Sequence, residues 1–181
     1  MSGHGGHVDP SNKKIALLIA ILALCLAISE TLSKAYQTEV ITKQVEASNL
    51  WAFFQAKSIR KTSTDLAIQS AQIQPLAEDP KTAAMIKRWT EAAKRYDSEP
   101  ETGEGRKELA ARAVAAQKLG QIANHKYHNL EVSSGVLQVA IVLASSSIIT
   151  GVMLLAWLAG ALGVVAVGFG IFAMTGAAAL L

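Results

Sequence analysis

The sequence predicts an all-α integral membrane protein with one N-terminal transmembrane helix, a soluble antiparallel helical hairpin or stalk, and a C-terminal transmembrane helical hairpin. Three observations point there. From Val132 to Leu181 there is no Asp, Glu, Lys, Arg or His, whereas Glu30 to Glu131 carries nearly all the charge. Apolar runs lie towards both ends of the chain, and no Pro or Gly interrupts the stretch from Glu30 to Gln74. The 181 residues and 51% hydrophobic content would suit about one globular domain. The segregation of charge instead suits two solvents.

Residues 1–14 read as a disordered tail, because MSGHGGHVDPSN is rich in Gly and polar residues. Loss of the initiator Met would leave Ser2-Gly3-His4, an arrangement able to wrap square-planar Cu(II) or Ni(II). Residues 15–35 are the first transmembrane helix. Ile15 to Ser29 alone gives about 22 Å of helix against a core of about 30 Å, so Thr31 to Ala35 complete the crossing or Glu30 and Lys34 sit at an interface. The single cysteine, Cys25, lies inside this run and reads as a small hydrophobe, so no intramolecular disulfide can form.

Residues 36–131 are expected to form the soluble helical stalk. Val45, Ala52, Ile59, Leu66 and Ile73 repeat every seven residues, the signature of a coiled-coil seam, with polar companions at Ser48, Gln55, Thr62 and Gln69. Gln74-Pro75 ends this helix. Asp79-Pro80 supplies an N-cap and a first-turn proline for a shorter helix, with Met85, Trp89, Ala92 and Tyr96 on one face. The run SEPETGEG, Ser98 to Gly105, reads as a mobile loop. Beyond it, Leu109, Ala113, Ala116, Gly120, Ala123, Tyr127 and Leu130 alternate spacings of four and three, a small-residue edge that can nest against the long helix.

Residues 132–181 are the transmembrane hairpin, with spans Val136–Leu158 of about 34 Å and Ala161–Leu181 of about 31 Å and a turn at Ala159-Gly160. Neither span holds an ionisable residue, which weighs against proton coupling or a charged filter. Gly160, Gly168 and Gly176 recur every eight residues, beside the small-xxx-small pairs Ala159/Gly163 and Ala166/Gly170. Such ridges favour close packing within the hairpin or between subunits.

The densest candidate site is SNLWAFFQAKSIRKT, Ser48 to Thr62, where Leu50, Trp51, Phe53 and Phe54 cover more than one helix face and Lys57 and Arg60 follow. Contact with other helices or another subunit is the reading adopted. A lipid surface comes second, and nucleic acid is set aside because the net charge is only +3 with no wider basic field. His125, His128 and Glu131 stand at helical spacing and form a weak metal candidate, without a further ligand in sequence. No phosphate loop, HExxH pair, cysteine cluster or nucleophile elbow is present, so the chain is expected to be no enzyme and to need no cofactor.

The strings SNLWAFFQAKSIRKT, YDSEP, GEGRKEL and LQVAIVLASSSIIT together resemble small bacterial membrane proteins grouped as a domain of unknown function, family 4337. The resemblance covers all but the N-terminal tail. It implies a bacterial membrane setting and carries no catalytic residue. The functional expectation is a structural or accessory membrane protein that forms a helical homo-oligomer or scaffolds a partner complex, a membrane protein partner included. The alternative is a pore or transport component. Lys34, Lys43, Lys118 and Lys126 outnumber Lys13 and Lys14, which places the soluble segment in the cytoplasm of a multi-pass inner-membrane protein.

Overall fold

The computed structural model describes residues 10–73 and 79–175. They form four helices, α1 (Pro10–Gln72), α2 (Pro80–Asp97), α3 (Arg106–Thr150) and α4 (Met153–Met174), with no strand among the described residues. Helices α1, α3 and α4 are long and apolar enough to cross a membrane, consistent with a membrane protein. Ser2-Gly3-His4, the Gln74-Pro75 break and Gly176 lie outside the described residues.

Helix α1 runs 63 residues without a break, so the first apolar run and the long middle helix are one element of about 95 Å. It starts at Pro10, inside the segment expected to be a disordered tail. Proline suits that position, since the N–H it lacks would have no partner in the first turn. Helix α3 likewise carries the return helix into the apolar C-terminal region over 45 residues. It ends at Gly151, whose φ of 71° is the left-handed conformation that closes many helices. The Gly151 N–H donates to the Ser147 carbonyl at 3.0 Å, and the Ser147 hydroxyl donates to the Val152 carbonyl at 3.0 Å. The hairpin turn is therefore Gly151-Val152, not Ala159-Gly160. A glycine ends a helix only where its carbonyls find other partners, and Ala159 instead sits fully buried inside α4.

The chain divides into two compact units, Met1–Val40 with Gln121–Leu181, and Ile41–Gly120. In the first, α1 and α3 pack with α4 around Ile15, Leu22, Leu137, Ala140, Ala144, Ala159 and Ala166. Small side chains let the backbones approach. The buried edge of α4 is Ala159, Gly163, Ala166, Gly170 and Ala173, so both small-xxx-small pairs are consumed within the chain. A Cβ on Gly163 would run into the Leu22 side chain, and one on Gly170 would lie 3.2 Å from the Ser133 hydroxyl. Gly160 and Gly168 differ: a Cβ on either meets nothing within 4 Å.

In the second unit, Ala47 and Leu50 of α1 pack on Leu109, Ala113 and Ala116 of α3, with Trp51 and Phe54 against them. The small-residue edge of α3 is thus the buried one, as its spacing predicts. Helix α1 behaves otherwise. Its inward face follows Ala47, Leu50, Phe54, Lys57 and Ala71, whereas Val45, Ala52, Ile59, Leu66 and Ile73 are all exposed. Two seven-residue patterns compete on one helix, and the one with Leu, Trp and Phe wins because an Ala-rich edge leaves room for large rings that bury more area.

Helix α2 opens at Asp79, whose carboxylate accepts from the N–H groups of Lys81 and Thr82 at 3.1 and 3.2 Å. Its inward face is rotated by about one residue from expectation, with Ala93 buried and Met85 exposed. The Ser98 to Gly105 loop is bonded rather than loose. The Ser98 hydroxyl and the Glu99 N–H donate to the Glu108 carboxylate at 2.5 and 3.1 Å, and the Gly103 N–H donates to the Glu99 carbonyl at 2.9 Å.

The contrast among the α4 glycines is testable. Gly163→Val is expected to destabilise the first unit by about 1–3 kcal/mol, the cost of overpacking a filled site. Gly160→Val, entering space that is open within the chain, should leave the packing of the first unit intact and cost far less. Thermal unfolding of the two variants in detergent, followed by far-UV circular dichroism, distinguishes them.

Candidate functional site

Part of the aromatic and basic run of Ser48 to Thr62 is gathered around Lys57 within the second unit. Helix α1 places Lys57 one turn beyond Phe53 and Phe54. With α2 and α3 packed on it, Lys57 is only 8% exposed. Its ammonium lies 5.3 Å from the centre of the Phe53 ring, 5.7 Å from that of Tyr96 and 3.8 Å from the Glu104 carboxylate. A buried cation needs such partners, and ring faces supply part of what water did. Trp51 and Phe54 meet edge to face at 5.4 Å, and the Arg106 guanidinium lies 5.9 Å from the Phe54 ring.

Around this cluster the charges are paired. Asp97 bonds Arg106 at 2.6 Å and Lys107 at 2.9 Å. Hydrogen bonds from Lys107 first, then Arg106, hold the Asp97 carboxyl below its ordinary range. The Ser98 hydroxyl, followed by the Glu99 N–H, does the same for Glu108. Gly105 is required here, because a Cβ would lie against the backbone of Ser98 and Glu99. Of the residues singled out in sequence, Leu50, Trp51, Phe54 and Lys57 are drawn into packing, while Phe53 and Arg60 stay exposed. The rings are not laid out as a stacking platform.

The first unit holds a polar layer that sequence reading passed over. Ser29, Ser133 and Ser134 are buried. Ser134 donates to the Ser29 hydroxyl at 3.0 Å, Ser29 to the Leu130 carbonyl at 3.2 Å, and Ser133 to the Ala166 carbonyl at 2.8 Å. These bonds tie α1 to α3 and α3 to α4. The signal was present as Ser at positions continuing the α3 edge, Leu130 to Leu137, but serine in an apolar helix also bonds its own backbone. Beside the layer, Glu30, Lys34, Gln37, Tyr127, Glu131 and Gln138 line an open polar groove of about 420 Å³. Gln138 donates to the Glu30 carboxylate at 3.3 Å, and the Tyr127 hydroxyl donates to Glu131 at 3.2 Å. An apolar pocket of about 180 Å³ lies among α1, α3 and α4, lined by Cys25, Leu32, Leu137, Val167 and Met174.

His128 approaches Glu131 at 3.9 Å and His125 is exposed. No group of three or more His, Cys, Asp or Glu that could hold a metal forms among the described residues. Within the polar groove Gln138 pairs with Glu30 and Tyr127 with Glu131.

The model of a family described as a domain of unknown function (DUF4337) matches residues 11–176. No curated protein and no solved structure matches the chain.

Asp97 and Glu108 set a pH dependence. Their folded-state pKa values are depressed, so their contribution is complete above the ordinary carboxylate value of about 4 and is lost as pH falls through the lower folded value. The unfolding temperature of the second unit, followed by far-UV circular dichroism, should be flat from neutral pH to about pH 5 and decline below about pH 4. Glu108→Gln, which keeps one acceptor oxygen in place of the two that Ser98 and Glu99 use, removes the titrating group and should flatten part of that decline.

Proposed function

The chain belongs to the DUF4337 family, and from its own surfaces we propose that it is a structural or accessory membrane protein acting as a helical homo-oligomer or as the scaffold of a partner complex. The observation that carries this reading is the open glycine ridge of α4. Internal packing consumes Gly163 and Gly170 but leaves Gly160 and Gly168 with free space above them. In lipid, where helices associate through close packing rather than hydrophobic drive, a bare ridge is a surface for another helix. The setting follows from the family resemblance and the lysine balance: a bacterial inner membrane, with the soluble segment in the cytoplasm. The proposal includes no cofactor and no nucleic-acid partner.

A second reading has one observation in its favour. The polar groove brings Glu30 and Gln138 together beside apolar helix, a feature suited to a pore or transport component. Its members bond one another across one open face, so the scaffold reading ranks first. Saturable, selective flux through the reconstituted protein would reverse that order.

Mass measurement in mild detergent is expected to show a discrete complex of several subunits, and Gly168→Leu should shift it towards smaller species. Because the Gly168 position is open, this change leaves the chain's own packing intact and reads the contact alone. A single-chain mass for the unaltered protein would refute the homo-oligomer. For orientation, Glu101→Cys in a Cys25→Ala background should resist an impermeant thiol reagent in intact spheroplasts. Glu101 is exposed in the loop, so the thiol placed there is open to the reagent.

A further inference from the structure

We propose that residues 41–72 of α1, with Ile73 just beyond its end, pair, parallel and in register, with the same residues of a second copy of this chain, an assignment that rests on the homo-oligomer reading and names its interface in the second unit. The seam is the stripe that internal packing leaves out. Val45 is 54% exposed, Ile59 67%, Leu66 57% and Ile73 86%. They recur every seven residues, with Ala52 completing the row, as first-core positions of a coiled coil do. Each step of seven turns an ideal helix only about 20° short of two full turns, so the row stays on one side. Positions 47, 50, 54 and 57, which face inward, lie roughly opposite it.

Charge decides what the stripe can meet. Let a denote the row from Val45 to Ile73, so that the second core row, d, is Ile41, Ser48, Gln55, Thr62 and Gln69. No residue from 41 to 73 at a, at d or at the flanking e position is charged. The other flank, g, holds one charge, Asp65, which is bonded to Lys61 at 2.6 Å. Lys43, Glu46, Lys57, Arg60 and Lys61 all stand elsewhere on the helix. A helix face in contact with water seldom stays uncharged over about 48 Å.

Residues 41–73 follow the first apolar run in the chain. Copies inserted with the same orientation therefore enter this segment from the same side, and two such segments meet parallel. Every residue then faces its own counterpart, an arrangement that like charges at core positions would forbid and that this face permits. Opposed Gln55 and Gln69 amides can serve each other as donor and acceptor. Acyl chains would leave those amides and the Ser48 and Thr62 hydroxyls unpaired, which disfavours a lipid surface as occupant. A strip about 48 Å long and about 10 Å wide gives about 500 Å² per copy, or about 1,000 Å² for a pair, the scale at which specific interfaces begin.

The test uses the full chain with Cys25→Ala in isolated membranes. Ile59→Cys and Leu66→Cys are expected to form disulfide-linked dimers on mild oxidation several-fold more readily than Arg60→Cys, which is exposed one residue along the helix and off the stripe. Ile59→Lys, a change at a solvent-facing position that spares the fold, should lower the mass of the detergent complex. Equal cross-linking at Ile59→Cys and Arg60→Cys, or an unchanged mass for Ile59→Lys, would overturn the assignment while a multi-subunit mass left the homo-oligomer standing. A stripe cysteine joined to a protein of different mass would overturn it as well. A single-chain mass for the unaltered protein would remove both readings together.

Discussion

Each unit of this fold depends on one geometric constraint, the small-residue edge of α3. Ala113 and Ala116 in the second unit, and Ala140 and Ala144 in the first, are almost wholly buried. Gly120 comes so near α1 that a Cβ there would stand 3.3 Å from Cβ of Lys43. Alanine contributes little buried area, so an edge of this kind stabilises by bringing backbones together and letting larger neighbours fill the space beside it. That mechanism works in lipid, where apolar area alone supplies no drive for helices to associate. In water it works through the rings and leucines it admits, and Leu109 is fully buried for that reason.

Close approach also decides where polar atoms go. Once α3 and α4 are near enough, the Ser133 hydroxyl reaches the Ala166 carbonyl, and on its other neighbour Ser134 reaches Ser29. A buried hydroxyl without a partner costs far more than a bonded one gains, so these serines act as a register for the packing. Lys57 follows the same rule, with two ring faces and a carboxylate standing in for water. Several residues that in isolation suggest binding, Lys57 and the buried serines among them, have their partners within the chain.

Function must then be sought on what the packing leaves outside. The α4 glycine ridge and the uncharged stripe of α1 share one property: the chain's own packing leaves both open, one bare of side-chain bulk and the other exposed without a charge. Contact with another helix would resolve both, and that is the ground of the assembly role proposed for this protein.

The charge partition, the periodicities and the turn residues by themselves determined an all-helical chain with apolar helices of spanning length, the capped start of α2 and the buried edge of α3. These depend on local propensity and on the solvent each stretch prefers, and both are written in residue type. Tertiary structure alone decided which of two seven-residue faces of α1 turned inward, because that depends on the volume the partner edge leaves open. It alone moved the hairpin turn to Gly151-Val152, since an apolar run has no composition boundary to mark a turn. It alone separated Gly163 and Gly170 from Gly160 and Gly168, glycines alike in sequence and distinguished only by whether another helix stands above them.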